Sequence, residues 1–271
     1  RKFVRKRLKD KIKISQYSLL KKYIYKKHQG QFVGWLLRKK YTRDNLINIF
    51  SKRELSFFEK FDTLFQKFIN KEEKKLLWPE IEKFYFVEKK NRWPKIVKEL
   101  NSLMEILSLD FGLLNLEEIV VMPNFLDAYG WGYGPKIGKI AFVVYGPLRN
   151  GDFALIRHEF LHSVINPLIL NNKIFLKKAE KIFGHRSVGT QFKKIGYSNW
   201  PVIIEEHLVR AIDIKTQGLR LIEKKGLLKK EKEKGFAYIE KIYTELKRNY
   251  KKNELLDISK NILNNIDKFV L

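Results

Sequence analysis

The sequence predicts an α+β protein, mostly helical, in which a small mixed β-sheet follows a helical N-terminal region and precedes further helices. Three observations carry this reading. Apolar residues return at helical spacing through the first hundred positions, two short β-branched and aromatic runs follow at Glu118–Met122 and Ile140–Tyr145, and helical spacing resumes at 153.

The elements follow in order. Leu19, Leu20, Tyr23 and Ile24 form one apolar stripe, and Phe57, Phe58, Phe61, Leu64, Phe65 and Phe68 form another, read as the buried face of a helix. Ser51 with Glu54 is a capping-box pattern that starts this helix. Trp78-Pro79 and Trp93-Pro94 punctuate the next two helices, the second running from Lys95 toward Leu107 and ending before Asp110. Between the strand-like runs, the glycine and aromatic segment 129–135 reads as a loop. It lacks the Lys-Ser/Thr ending of a phosphate loop and opens no helix. Residues 153–166 return to helix until Asn166-Pro167 stops them, and helical signals follow at 172–183, 201–216, 219–247 and 254–268. Lys and Glu fill 223–234, a solvated helix face. The change of character near 110 divides the chain into a basic helical region, 1–110, and a mixed region, 111–271, where the chemistry is expected.

Composition narrows the function classes. With 271 residues, 44% of them apolar and 14% aromatic, the chain can bury a core and is not of disordered type. The absence of cysteine excludes a disulfide framework, iron–sulfur clusters, thiolate zinc sites and a cysteine nucleophile, and it leaves the compartment open. Apolar runs such as Ile140–Tyr145 fall far short of the roughly 18 residues a membrane span needs, so no transmembrane segment is expected. The chain opens at Arg1, and the expectation is a soluble protein, extracytoplasmic if a signal or anchor precedes it. Net charge is +26, and residues 1–40 alone hold 15 Lys/Arg against one acid, Asp10. Such an arm suits an anionic surface or polymer. It supports one reading: a non-catalytic binding protein for an anionic polymer or membrane surface. His28, within the arm, reads as a surface residue.

The segment that carries chemistry is His158-Glu159-Phe160-Leu161-His162. Residues four apart on a helix project side by side, so the two imidazoles can chelate one divalent ion. Glu159 projects beside that ion, where its carboxylate can take a proton from a water, the role of a general base. The uncharged neighbours Leu155, Ile156, Phe160, Leu161, Ser163 and Val164 allow the helix to be buried. A metzincin would place glycine and histidine three and six residues beyond the motif, where this chain has Ile165 and Leu168. The third ligand is therefore sought among His185, Glu205, Glu206, His207 and Asp213. Residues 200–213 read as a helix with Pro201 in its first turn. Glu205 and Glu206 point about 100° apart, so one of them reaches the metal. Glu206 is favoured, because Arg210 lies one turn beyond to hold its carboxylate and Asp213 lies two turns beyond on nearly the same face. Glu205 is expected to be a surface carboxylate whose replacement leaves metal affinity alone.

With this motif and a helical glutamate downstream, residues 115–215 resemble the gluzincin, or thermolysin-like, metallopeptidases. Asn166-Pro167 and the stretch from Glu206 to Ile212 resemble, more narrowly, an uncharacterised domain-of-unknown-function family within that group. The resemblance implies a zincin-like core, Zn2+ bound by His158, His162 and Glu206, Glu159 as general base, and a peptide or protein substrate. Thermolysin-like enzymes usually place an aspartate four residues after the ligand glutamate to orient the first histidine; here that position is Arg210, with Asp213 as the substitute. Tyr197 stands where the group places an oxyanion-stabilising tyrosine, and His185 is the other candidate. The strand at 140–145 would be the sheet edge that pairs with an extended substrate, placing Val143, Val144 and Tyr145 along the cleft. The helical N-terminal region could serve as a prosegment.

Overall fold

The computed structural model describes residues 52–69, 90–111, 116–124, 130–148, 153–170 and 200–248, with positions 79, 82, 83, 85–88, 173, 176, 177 and 180 besides. The basic arm, the Leu19–Ile24 stripe, and most of the helical signal at 172–183 and all of that at 254–268 lie outside the described residues. The described part is mostly helical with a small four-stranded mixed sheet, as the sequence predicts. No helix among the described residues is long and apolar enough to cross a membrane.

Two compact units divide these residues: those of 1–97 and 118–156 in the first, and those of 98–117 and 157–271 in the second. The change in composition near 110 falls where the helix Trp93–Phe111 gives way to the first strand, Glu118–Pro123.

In the first unit, α1 spans Lys52–Ile69, starting where the Ser51–Glu54 pattern predicts. Phe58 is buried and meets Phe57 edge-on with ring centroids 5.9 Å apart; the side chains of Phe61, Leu64, Phe65 and Phe68 lie outside the described residues. Strands β1 (Glu118–Pro123), β2 (Gly132–Tyr133), β3 (Lys136–Ile137) and β4 (Ile140–Tyr145) form the sheet. β4 is its centre. β1 pairs with it in parallel along its whole length, from Glu118 opposite Ile140 to Pro123 opposite Tyr145. On the other side, β2 and β3 pair with it antiparallel, and the Phe142 amide donates to the Pro135 carbonyl between them (2.9 Å). Gly138 opens the β3–β4 turn at φ 60°, the left-handed position that a two-residue hairpin gives to glycine. The continuous apolar run of β4 is buried from Ala141 to Tyr145, as befits a strand covered on both faces. This corrects the edge-strand expectation: Val143, Val144 and Tyr145 belong to an interior strand whose neighbours occupy both sides.

Helix α2 (Trp93–Phe111) begins at the predicted Trp93-Pro94 and continues into Asp110-Phe111. Its buried stripe is Ile96, Leu100, Leu103 and Leu107, one face at helical spacing.

The second unit contains the helices that matter for chemistry. α3 (Ala154–Leu170) runs through Pro167 rather than stopping at it. Proline removes one i→i−4 bond, to the Ser163 carbonyl, and this falls in the last turn, where Ile165 and Ile169 are both buried and retain the helix. Ile156, Phe160, Leu161 and Val164 are buried as well, so the helix is covered on nearly every side. α4 (Trp200–Thr216) carries Pro201 in its first turn as predicted, and buries Ile203, Ile204, Leu208, Val209, Ala211 and Ile212. The signal at 219–247 resolves into α5 (Leu221–Glu233) and α6 (Ile239–Arg248), separated at Gly235, whose φ of 109° only glycine adopts without strain. α6 packs Ile239, Ile242 and Leu246 inward. Lys215 donates to the Leu246 carbonyl (2.6 Å) and Lys224 to the Lys215 carbonyl (2.8 Å), placing cations near the ends of α6 and α4.

Candidate metal centre

All the predicted ligands of the HExxH reading lie in the second unit, on α3 and α4. One turn of α3 separates His158 from His162, and their rings stand edge to face with centroids 4.6 Å apart. Their Nε2 atoms are 3.1 Å apart. The Glu206 carboxylate comes to them from α4, with Oε2 3.6 Å from His158 Nε2 and Oε1 3.6 Å from His162 Nε2. Among the described residues, these three offer ligand atoms that all lie within 4.8 Å of one another, a group that can hold a metal ion. The fit is good. Bonds of about 2.0–2.1 Å at tetrahedral angles put ligand atoms about 3.3–3.4 Å apart, and the observed spacings of 3.1 and 3.6 Å bracket that value. Two imidazole nitrogens and a carboxylate oxygen form a donor set of the kind that takes zinc and its first-row neighbours.

The electrostatics of the metal-free site follow from burial and from the excess of acid. Burial lowers the His158 pKa well below the ordinary value, and the charges of His162, Arg210 and Lys234 act in the same direction. For His162, burial pulls downward too, but the hydrogen bond and charge of Glu205, with the charges of Glu206 and Glu159, raise it to about 9. The two shifts run in opposite directions, and the facing Nε2 atoms, 3.1 Å apart, are within reach of one shared proton. Glu159 is buried, and burial raises it to about 7; Glu206 and Glu205 push the same way while His162 and Arg210 oppose.

Glu205 differs from its sequence expectation. It is buried, not on the surface, and its Oε1 accepts a 2.6 Å hydrogen bond from Nδ1 of His162. The 100° offset from Glu206 takes it behind the histidine instead of away from the site. There it fixes the ring and leaves Nε2 as the ligand atom, the arrangement that metal-bound histidines usually adopt. Its adjacency to Glu206 was the available signal.

Arg210 does hold Glu206, donating from Nη2 to Oε2 at 3.0 Å. It also donates from Nη1 to Glu231 Oε2 on α5, at 2.9 Å, and its Cζ lies 4.2 Å from the centroid of the Phe236 ring. No feature of the sequence marked Glu231 or Phe236.

Among the described residues, Asp213 bonds to no histidine. Its carboxylate accepts from Arg157 Nε at 2.9 Å and from Gln217 Nε2 at 3.0 Å. Arg157, the residue before His158, also donates to Thr216 Oγ1 at 2.8 Å and approaches Glu99 at 3.5 Å. At two turns beyond Glu206, the aspartate has passed the His–His–Glu group and reached Arg157 near the start of α3, so it clasps the two helices together. His207, another ligand candidate, is fully buried and donates from Nδ1 to the Ile203 carbonyl at 2.7 Å, with its ring against Phe236. Burial holds it down to about 4, so it stays neutral. His185 and Tyr197, the oxyanion candidates, lie outside the described residues.

Residues 133–260 match the family model described as Domain of unknown function (DUF4932), a span that includes every residue of the His–His–Glu group. No curated protein and no solved structure matches the chain.

Proposed function

We propose that the chain is a zinc-dependent peptidase of the gluzincin type. The observation that carries this reading is the convergence of His158, His162 and Glu206 within 4.8 Å, with the buried carboxylate of Glu159 next in sequence to the first ligand. A zinc ion held by these residues would polarise a scissile carbonyl and acidify a water molecule. Glu159 takes a proton from the attacking water on its carboxylate and returns it to the leaving amine. Glu205 keeps His162 in its ligating orientation, and Arg210 keeps Glu206 in place. Tyr197 and His185 remain the candidates for oxyanion donor. Peptide as the substrate rests on the resemblance of the motif to gluzincins.

Metal content by elemental analysis of wild type beside His162→Ala tests the site: about one zinc per chain, lost in the variant, is expected. Glu159→Gln should keep the metal and lose hydrolysis of a peptide library by about 10³-fold or more. An active Glu159→Gln protein, or a folded wild type that takes up no zinc, overturns the reading. The charge of +14 on residues 1–40 favours the rival, an anionic-polymer binding protein. Deleting those residues separates the two. The rival loses its salt-dependent binding to nucleic acid or acidic lipid, whereas the peptidase keeps its hydrolysis.

A further inference from the structure

The ligand glutamate is held from outside the metal group by a charge chain that reaches a third helix. Glu206 Oε2 accepts from Arg210, Arg210 donates onward to Glu231, and Glu231 also pairs with Lys234. The guanidinium is thus fixed on one side by the ligand itself, on another by α5, and across its face by Phe236 from the turn after α5. Arg210 and Glu206 are one helical turn apart, so their contact needs no rearrangement of the backbone. Glu231 sits 21 residues further on in sequence and accepts from Arg210 Nη1 at 2.9 Å.

This arrangement treats the two carboxylate oxygens differently. Each oxygen stands 3.6 Å from an imidazole nitrogen, Oε2 from His158 Nε2 and Oε1 from His162 Nε2, but Oε2 also accepts from the charged Arg210 at 3.0 Å. A carboxylate with both oxygens available can chelate an ion and raise its coordination number; one whose second oxygen is hydrogen-bonded to a guanidinium is biased to bind through the first. We propose that Arg210 is a positioning residue that makes Glu206 a one-oxygen ligand, with Glu231 and Phe236 holding Arg210 for the purpose. Two protein nitrogens and one oxygen then leave a four-coordinate ion one open position. The inference rests on the metal reading above and adds the mode of ligation.

Cobalt(II) titrated into the full metal-free chain reads this mode directly, because its visible absorption is strong when four-coordinate and weak at higher coordination. The wild type is expected to give the strong spectrum. Arg210→Met should weaken it and lower cobalt affinity about 10–100-fold, the usual cost of losing a residue that orients a ligand. Arg210→Lys, a point charge that cannot hold Glu206 and Glu231 at once, should fall between. Glu231→Gln keeps the guanidinium but weakens its hold and should shift the spectrum the same way by less; its side chain is only partly buried, so this variant decides the matter if Arg210→Met does not fold. Variants with wild-type spectrum and affinity overturn the role of Arg210 while leaving the metal site standing. A wild type that binds neither cobalt nor zinc overturns the metal reading and this inference together.

Discussion

Each compact unit buries a cluster of ionisable side chains, and the two clusters end in opposite conditions. In the first, Glu88 is buried beside Arg92, which also donates to the Leu148 carbonyl at 3.1 Å, and the Tyr145 hydroxyl lies 3.5 Å from the other Glu88 oxygen. Burial raises both Glu88 and Tyr145, and the arginine offsets part of the effect. Among the described residues, one carboxylate here meets one guanidinium and their charges offset each other. In the second, Glu159, Glu205 and Glu206 gather round two imidazoles, with Arg210 and Lys234 as fixed cations nearby. The metal-free chain balances this surplus by holding a proton on His162. A buried carboxylate by itself therefore does not mark a site here. What marks it is a set of acceptors converging on one point that an added cation would complete.

The Arg157–Asp213 clasp belongs with the first kind, although it lies in the same unit as the metal group, and it offers the largest expected effect. Arg157→Met leaves Asp213 buried opposite an apolar group, and should cost about 3–5 kcal/mol in urea unfolding. Adding Asp213→Leu should recover most of that loss, because a buried pair is often replaceable by packed apolar side chains. Failure of the double variant to recover would show that the clasp does more than neutralise itself.

The second cluster should instead respond to pH through its ligand. His162 holds its proton up to about pH 9 in the metal-free protein, and an ion must displace that proton to bind. Zinc affinity should therefore fall roughly tenfold for each unit of pH below that value, about 100-fold between pH 8 and pH 6. The metal-free fold has the opposite sign. A histidine raised above its unfolded pKa contributes stability that is full below about pH 6.5 and lost as pH rises through about 9. Competition titrations at three pH values check the first trend, and unfolding with chelator present checks the second. Zinc affinity that does not change with pH would mean that the site is not protonated as the geometry requires.

Glu205 sharpens the contrast further. Glu205→Ala removes the acceptor behind His162 and should lower zinc affinity about 10–100-fold, with Glu205→Gln nearer the lower end because its amide oxygen can still accept from Nδ1. Equal affinities for all three proteins would return Glu205 to a bystander.

How much of this was legible depends on sequence distance. The histidine pair and Glu159 occupy five consecutive positions, and helical geometry alone brings the imidazoles together. Glu206 was legible through Arg210, again one turn apart. Glu205 was misread because its direction on α4 was known but the position of α3 was not. Asp213 was misread for the same reason, since its partner Arg157 lies 56 residues away. β4 announced itself by composition, but a strand's propensity does not say whether it is central or at an edge, and β2 and β3, of two residues each, leave no apolar run to read. The break at Gly235 was passed over because Lys and Glu on both sides keep a helical composition.

The smallest expected effect tests whether the two clusters are independent. Glu88→Gln removes the charge that Arg92 faces but keeps an oxygen to accept from it, and Arg92 retains the Leu148 carbonyl. The loss should therefore sit near the low end for a charged hydrogen bond, about 1.5 kcal/mol in urea unfolding. Zinc affinity, measured on the same protein, should equal that of the wild type, because Glu88 bonds to Arg92 and Tyr145 and to none of the candidate ligands. If Glu88→Gln lowered zinc affinity as far as Glu205→Ala, the first cluster would be supporting the second, and the distinction between a self-neutralised pair and an acceptor-rich site would not describe this molecule.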